Sequence, residues 1–337
     1  MRAVTLNYQT RSLRQREVPD PVLARDTQVL FRILEVGVCG TDRELANFRF
    51  GEPPAGEEFL ILGHEALGEV IAAGSAVHEL KPGDLVVPTV RRACVPACVS
   101  CARSRRDLCV TGAYTERGIL QAHGYFADFA VDEAADLIRI PAGLAGFGVL
   151  VEPLSVVEKA IQTALRIHEP GVGSAIVTGA GPIGILAALA LQLRGIEVTV
   201  ASLEPENSPR AALIREAGIR YTTFGATAVK ADIVIEATGA PSAALQSVRM
   251  LRPLGTMIAL GACVADGRIS FLDLVVHNQT IAGSVNASPE SFAQAVDDLG
   301  RFPAATLRAM IHRVPLQDFE NSILGPPDPH PKLVHTL

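Results

Sequence analysis

One short run limits the possible folds more than any other: Gly179-Ala180-Gly181-Pro182-Ile183-Gly184. It stands between an apolar stretch at residues 174–178 and a segment at 182–194 that reads as a buried helix. Strand, glycine turn and helix in that order form the phosphate-binding opening of a parallel α/β unit. Gly179 permits the tight turn, Gly181 lets the backbone approach a pyrophosphate, and Gly184 lets the helix pack closely on the sheet. The N–H groups that start the helix, with their partial positive charge, are aimed at those phosphates. Residues 171–193 are uncharged and on length alone could cross a bilayer. Gly171, Gly173, Pro182 and the three motif glycines interrupt the run, so strand, turn and helix explain it better.

The neighbouring sequence repeats the pattern. Residues 197–202, 232–237, 255–260 and 280–285 read as strands, with helices over 209–217 and 241–251. Such alternation predicts an α/β fold with a doubly wound parallel sheet covered on both faces. Residues 29–38, 66–73 and 84–90 instead read as strands separated by turn signals, among them Lys81-Pro82-Gly83-Asp84, which predicts a β-rich first half. An amphipathic helix over 289–299 and a proline-rich tail follow, the tail ending in a possible packed strand at 332–337. A chain of 337 residues exceeds what one core usually serves, so two domains are expected. With 48% hydrophobic residues the chain is not disordered, and a dispersed net charge of −6 argues against a nucleic-acid or membrane partner. Arg103, Arg105 and Arg106 form too short a basic run to alter that. The first residues lead into a charged stretch with Arg11, Arg14 and Arg16 and do not resemble a signal peptide, so a cytoplasmic location is expected.

Glu204 lies 20 residues beyond Gly184, where an acidic side chain would accept hydrogen bonds from an adenosine ribose and repel a 2′-phosphate. That leans toward NAD. Ser202 sits nearer the strand end and Arg210 could reach a phosphate, so NADP stays open, and Glu204 can also be read as a solvated loop charge. Cys94, Cys98, Cys101 and Cys109 follow the spacing C-x3-C-x2-C-x7-C. Four thiolates so close in sequence can enclose one zinc ion with no open position, a structural site; disulfides are the rival, which a cytoplasmic setting disfavours. Cys39 would by itself be a small buried hydrophobe, His64 a satisfied core histidine and Glu152 a loop charge. Together with Glu65 they also make the donor set of a catalytic zinc with one position free.

The segments Cys39-Gly40-Thr41-Asp42-Arg43-Glu44, Leu62-Gly63-His64-Glu65-Ala66, the four-cysteine lobe after Arg91-Arg92 and Glu152-Pro153-Leu154-Ser155 resemble the zinc-dependent medium-chain dehydrogenase/reductase family over essentially the whole chain. Its glucose (sugar/polyol) dehydrogenase branch is the nearest in pattern. The resemblance implies a GroES-like catalytic domain at 1–155 and 287–337, interrupted by a Rossmann dinucleotide-binding domain at 156–286, with the active site in the cleft between them. It implies Cys39 and His64 as zinc ligands, Glu65 or Glu152 as the carboxylate, and Thr41 as the first member of a proton relay. It places Gly179, Gly181, Pro182, Ile183, Gly184, Ser202, Glu204, Thr238, Gly239, Leu260, Ser284 and Asn286 along the cofactor. Glu116, Asn286 and His277 match positions facing the sugar, with the spacing of His277 off by one residue.

The same resemblance implies two zinc ions per subunit, NAD or NADP, a sugar or polyol substrate, and a homodimer or homotetramer. Some positions depart from the branch: Val90 and Val156 replace Asn and Asp, Ser202-Leu203-Glu204 replaces paired arginines, and Glu44 replaces a relay histidine of the alcohol dehydrogenases. The expected reaction is oxidation of a secondary or hemiacetal alcohol to the carbonyl by hydride transfer. A zinc-free quinone or enal reductase of the same superfamily and a non-catalytic NAD(H)-binding protein are the alternatives.

Overall fold

The computed structural model describes residues 1–168, 171–225, 229–261 and 269–337. The β-rich lobe is organised around β1 (Gln28–Gly37), in which Val29, Phe31, Ile33 and Val36 are buried. β1 ends where Val38 and Cys39 lead into α1 (Gly40–Ala46). It pairs antiparallel with β2 (Glu65–Ala73) in a register that sets Glu65 opposite Gly37. Its other flank takes the strand Lys332–Thr336, with Val334 opposite that same glycine. Three chain segments distant in sequence therefore meet at one end of β1, and each brings a polar side chain to that point.

From this lobe α2 (Val151–Ile167) leads into the alternating part. There follow β3 (Ser174–Thr178), α3 (Pro182–Leu193), β4 (Glu197–Ser202), α4 (Pro209–Glu216), β5 (Arg220–Thr223) and β6 (Ala231–Glu236). Next are α5 (Pro241–Arg249), β7 (Leu251–Ala259), α6 (Phe271–His277), β8 (Thr280–Gly283) and α7 (Pro289–Leu299). The strands form a parallel sheet in the order β5-β4-β3-β6-β7-β8. Strand order reverses between β3 and β6, and a crevice at the carboxyl ends of the strands lies at such a point. The fold is the expected α/β arrangement of a GroES-like lobe and a doubly wound parallel sheet. The chain then returns to the β-rich lobe through β9 (Ile311–Pro315), which pairs in parallel with β10 (Lys332–Thr336).

α2 belongs to both parts. It packs on α3 and α7, and one apolar cluster runs from Leu67 and Ile140 through Val151 and Leu154 to Val177, Leu186 and Ile235. The expected division between residues 155 and 156 falls inside this helix, and Glu152 is a buried helix residue rather than a loop charge. Pro153 concealed the helix in the sequence; it occupies the first turn, where a missing N–H breaks no intrahelical bond. Among the described residues no helix is long and apolar enough to cross a membrane.

Candidate active site and metal centres

Cys39 caps α1, and its backbone N–H donates to Asp42 Oδ2 at 2.8 Å. The other oxygen of this fully buried aspartate lies 3.5 Å from His64 Nδ1. His64 and Glu65 start β2 after Gly63, which needs its positive φ of +89° for the turn. Donor atoms of Cys39, His64 and Glu65 all lie within 4.8 Å of one another. Thr41 is beside them, its Oγ1 3.8 Å from Cys39 Sγ.

Lys332, at the start of β10, is buried against Glu65 and donates from Nζ to Val38 O at 3.0 Å. Gly37 has no room for a side chain here: a Cβ would lie 2.3 Å from Glu65 Oε2 and 2.6 Å from Lys332 Cε.

The charges of this cavity match a cation. Burial pushes the Glu152 carboxyl up to about 8, with the nearby Glu65 adding to the effect. Burial opposes a charge on His64, yet Asp42 and Cys39 carry its pKa well above the ordinary value. His64 Nδ1 and Asp42 Oδ1 are buried without a hydrogen-bond partner. A dication would take the place of the protons held on the His64 ring and the Glu152 carboxyl. Cys39, His64 and Glu65 thus fit zinc with a position to spare, and Asp42 would orient the imidazole.

The second cluster is closed. Sulfur atoms of Cys94, Cys98, Cys101 and Cys109 lie within 4.8 Å of one another, and Cys98 Sγ is 3.9 Å from Cys109 Sγ. A tetrahedron with zinc–sulfur bonds of about 2.3 Å has edges of about 3.8 Å, whereas a disulfide requires about 2.05 Å. Backbone N–H groups of Cys101 and Val110 lower the Cys98 thiol to about 6, while burial raises that of Cys101 to about 12. Four thiolates here require a cation. The lobe is tied across the molecule by Asp107, which pairs with Arg105 at 2.8 Å and with Lys159 of α2 at 3.0 Å. Lys159 also donates to Val285 O at 2.8 Å.

The glycine turn has the shape of a dinucleotide cradle. Gly179 has φ +106°, a Cβ on Gly184 would lie 2.0 Å from Gly179 O, and a Cβ on Gly181 would meet open space. Pro182 and Ile183 begin α3, Ser202 ends β4, and Thr238 and Gly239 follow β6. The Leu260 N–H donates to Glu236 O at 2.9 Å, and the Ser284 N–H to Ala259 O at 3.0 Å. Glu236 Oε2 and Ser284 Oγ, buried without partners, border this crevice.

Glu204 Oε1 accepts from Arg210 Nη1 at 3.0 Å. Arg210 also donates to the carbonyls of Asp328 at 2.7 Å, Pro329 at 3.1 Å and His330 at 3.2 Å. Its guanidinium is therefore occupied and not poised for a 2′-phosphate.

Glu116 and Asn286 meet: Asn286 Nδ2 donates at 3.0 Å to Glu116 Oε1, which Arg91 also holds at 2.9 Å. His277 does not join them. It ends α6, before β8, whereas Ser284 and Asn286 follow β8, so the strand separates them by about 10 Å of rise. Its Nδ1 lies 2.9 Å from Asp273 O of its own helix. Asp42 and Lys159 stood in or beside the quoted motifs without a role, and Glu236 and Lys332 were not singled out in the sequence. Asp42 had a signal, the cap spacing Cys39-x-x-Asp42. Lys332 had only its place at the head of an apolar strand.

A GroES-like lobe, a dinucleotide cradle and two sets of zinc donors define a zinc-dependent dehydrogenase. The alcohol dehydrogenase GroES-like domain family matches residues 25–142, and the glucose dehydrogenase C-terminus family matches residues 145–324. The chain belongs to the zinc-dependent medium-chain dehydrogenase/reductase family, in its glucose dehydrogenase branch.

Glucose 1-dehydrogenase of Thermoproteus tenax is 40% identical over 341 residues, covering 96% of this chain and 95% of that protein. A glucose dehydrogenase of Haloferax mediterranei, solved in complex with NADP, Zn and gluconolactone, superposes with a TM-score of 0.91 at 32% identity, covering 100% and 99% of the two chains. Galactitol-1-phosphate dehydrogenase of Escherichia coli shares the fold, with a TM-score of 0.84 at 22% identity over 100% of each chain.

Proposed function

We propose that the chain oxidises the hemiacetal or a secondary hydroxyl of an aldose or polyol, giving the lactone or ketone and reducing NAD(P). The observation that carries this reading is the convergence of Cys39, His64 and Glu65 within 4.8 Å beside Thr41 and Glu152. Zinc, when bound, would supply Lewis acidity toward the substrate hydroxyl, and a bound nicotinamide would supply the hydride acceptor. Cys39, His64 and Glu65 would hold the metal, with Glu152 as the alternative carboxylate, and the Cys94–Cys98–Cys101–Cys109 set would hold the structural ion. The Thr41 hydroxyl relays the substrate proton, accepting it from the substrate hydroxyl as it gives its own to water, and Glu116 with Asn286 orients the sugar. Glu44 takes no part, since it pairs with Arg49 at 2.7 Å on the surface. The carboxylate of Glu204 and the occupied guanidinium of Arg210 favour NAD, in contrast to the NADP of the Haloferax complex.

The division of the chain into 1–155 with 287–337 and 156–286 follows the membership of the two sheets, with α2 as the shared wall. A homodimer fits the surface: β8 is the edge of its sheet among the described residues, and Phe271, Leu272, Val275 and Val276 of α6 are exposed beside it. A cytoplasmic location suits thiols that form no disulfide among the described residues.

The test is Cys39→Ser. We expect loss of catalysis by at least a hundredfold, retained NADH binding and one zinc fewer per chain. Polyol or aldose oxidation at the wild-type rate would remove the role assigned to this centre.

A further inference from the structure

His312 lies on β9, and Asp328 and His330 lie on the loop that enters β10, far in sequence from both cysteine-containing centres. His312 Nδ1 is 2.8 Å from Asp328 Oδ2, and His330 Nδ1 is 3.0 Å from Asp328 Oδ1. The two rings lie 4.8 Å apart at 37°. One donor atom from each of the three residues falls within a 4.8 Å group, with the carboxylate in the middle. We propose that His312, Asp328 and His330 form a third metal site, which takes a zinc-class dication and fastens the 325–331 loop to β9.

The donor chemistry supports this. Two imidazole nitrogens and one carboxylate oxygen suit Zn²⁺, Co²⁺ or Ni²⁺, whereas Mg²⁺ and Ca²⁺ prefer oxygen alone. Bonds of about 2.1 Å in a tetrahedron put donors about 3.4 Å apart, so each histidine nitrogen would draw back by about half an ångström from the Asp328 oxygen that it now touches, Oδ2 for His312 and Oδ1 for His330. Hydrogen bonds to both histidines hold the carboxylate in place, and the metal would replace the shared protons.

The site is also set before any metal arrives. Pro326, Pro327, Pro329 and Pro331 fix the backbone of the loop. The His330 N–H donates to Asp328 Oδ1 at 2.8 Å. Arg210 grips the carbonyls of residues 328, 329 and 330, and His312 is held by the pairing of β9 with β10. Little ordering entropy is left to lose on binding. His312 and His330 are 42% and 48% exposed, so water can complete the coordination and the ion has a path in.

The experiment compares untagged, zinc-saturated wild-type protein with His312→Ala/His330→Ala after removal of loosely held metal. Elemental analysis should find one zinc more per chain in the wild type. Co²⁺ added to wild type whose exposed site has been emptied by a mild chelator, with zinc kept in both cysteine-containing centres, should give weak visible bands without thiolate charge transfer, absent in the double variant. Should the double variant fold poorly, His330→Gln on the exposed loop should bind Co²⁺ at least tenfold more weakly. Equal zinc content, or unchanged Co²⁺ affinity in either variant, overturns the proposal. The readout is a difference of one equivalent, so it stands or falls apart from the assignment of the catalytic centre.

Discussion

Replacing Lys332 by Met isolates the electrostatics of the candidate centre. The side chain is 1% exposed, its ammonium faces Glu65, and it satisfies the Val38 carbonyl. Methionine fills similar volume but strands a buried carboxylate and leaves that carbonyl unpaired. Breaking a buried ion pair from one side costs about 3–5 kcal/mol. Metal-free Lys332→Met protein should therefore lose about that much stability, read by urea unfolding. Zinc should reduce the loss by more than half, because the ion then serves as the counter-charge of Glu65. A double variant adding Glu65→Gln should regain part of the loss, since the two residues act on one interaction. A loss below about 1 kcal/mol without zinc, or an equal loss with and without it, would refute both the pairing and the place of the metal.

Other outcomes follow from neighbouring features. Cys98→Ser should halve the zinc retained in the two cysteine-containing centres and lower the unfolding midpoint, while the visible spectrum of a cobalt-substituted catalytic centre stays unchanged. Asp132→Asn leaves Arg92 and Arg117 without the carboxylate that they hold at 2.8 and 3.1 Å, which should cost about 3–5 kcal/mol at pH 7. Burial opposes the charge of Asp132, but Arg117 and Arg92 keep its pKa below 3.8. That stabilisation is complete above pH 3.8 and disappears as the pH falls through the lowered native value, so the variant should have a flatter acid-unfolding limb. Glu204→Ala should weaken NAD about tenfold in kcat/KM by removing the ribose acceptor, without efficient use of NADP, because Arg210 stays bound to three carbonyls. A steep gain in NADP activity would show that Arg210 is free. Gly184→Ala should abolish NADH binding by fluorescence, because its Cβ would collide with a backbone oxygen that cannot retreat.

The dinucleotide half was legible because its signals are local: a glycine turn between an apolar strand and a helix, then the same alternation repeated. α2 was hidden because Pro153 reads as a break when its place in a first turn is unknown. The metal donors were legible as residue types, but their meeting depends on the pairing of β1 with β2, which no local pattern shows. Lys332 is the extreme case: it stands 267 positions from Glu65 in the chain and reaches it only because β10 lies along the flank of β1. His277, offered by resemblance with its spacing off by one residue, ends α6, and the strand β8 lies between it and Asn286.

The double grip of Lys159, on Asp107 of the cysteine lobe and on the Val285 carbonyl, has a mechanical consequence. A chelator that strips the lobe of its ion would slacken the peptide at Val285, next to the Ser284 and Asn286 that we propose lie along the coenzyme. Damage at what looks like an inert rivet would then be felt first as poorer coenzyme retention, before any general melting of the molecule.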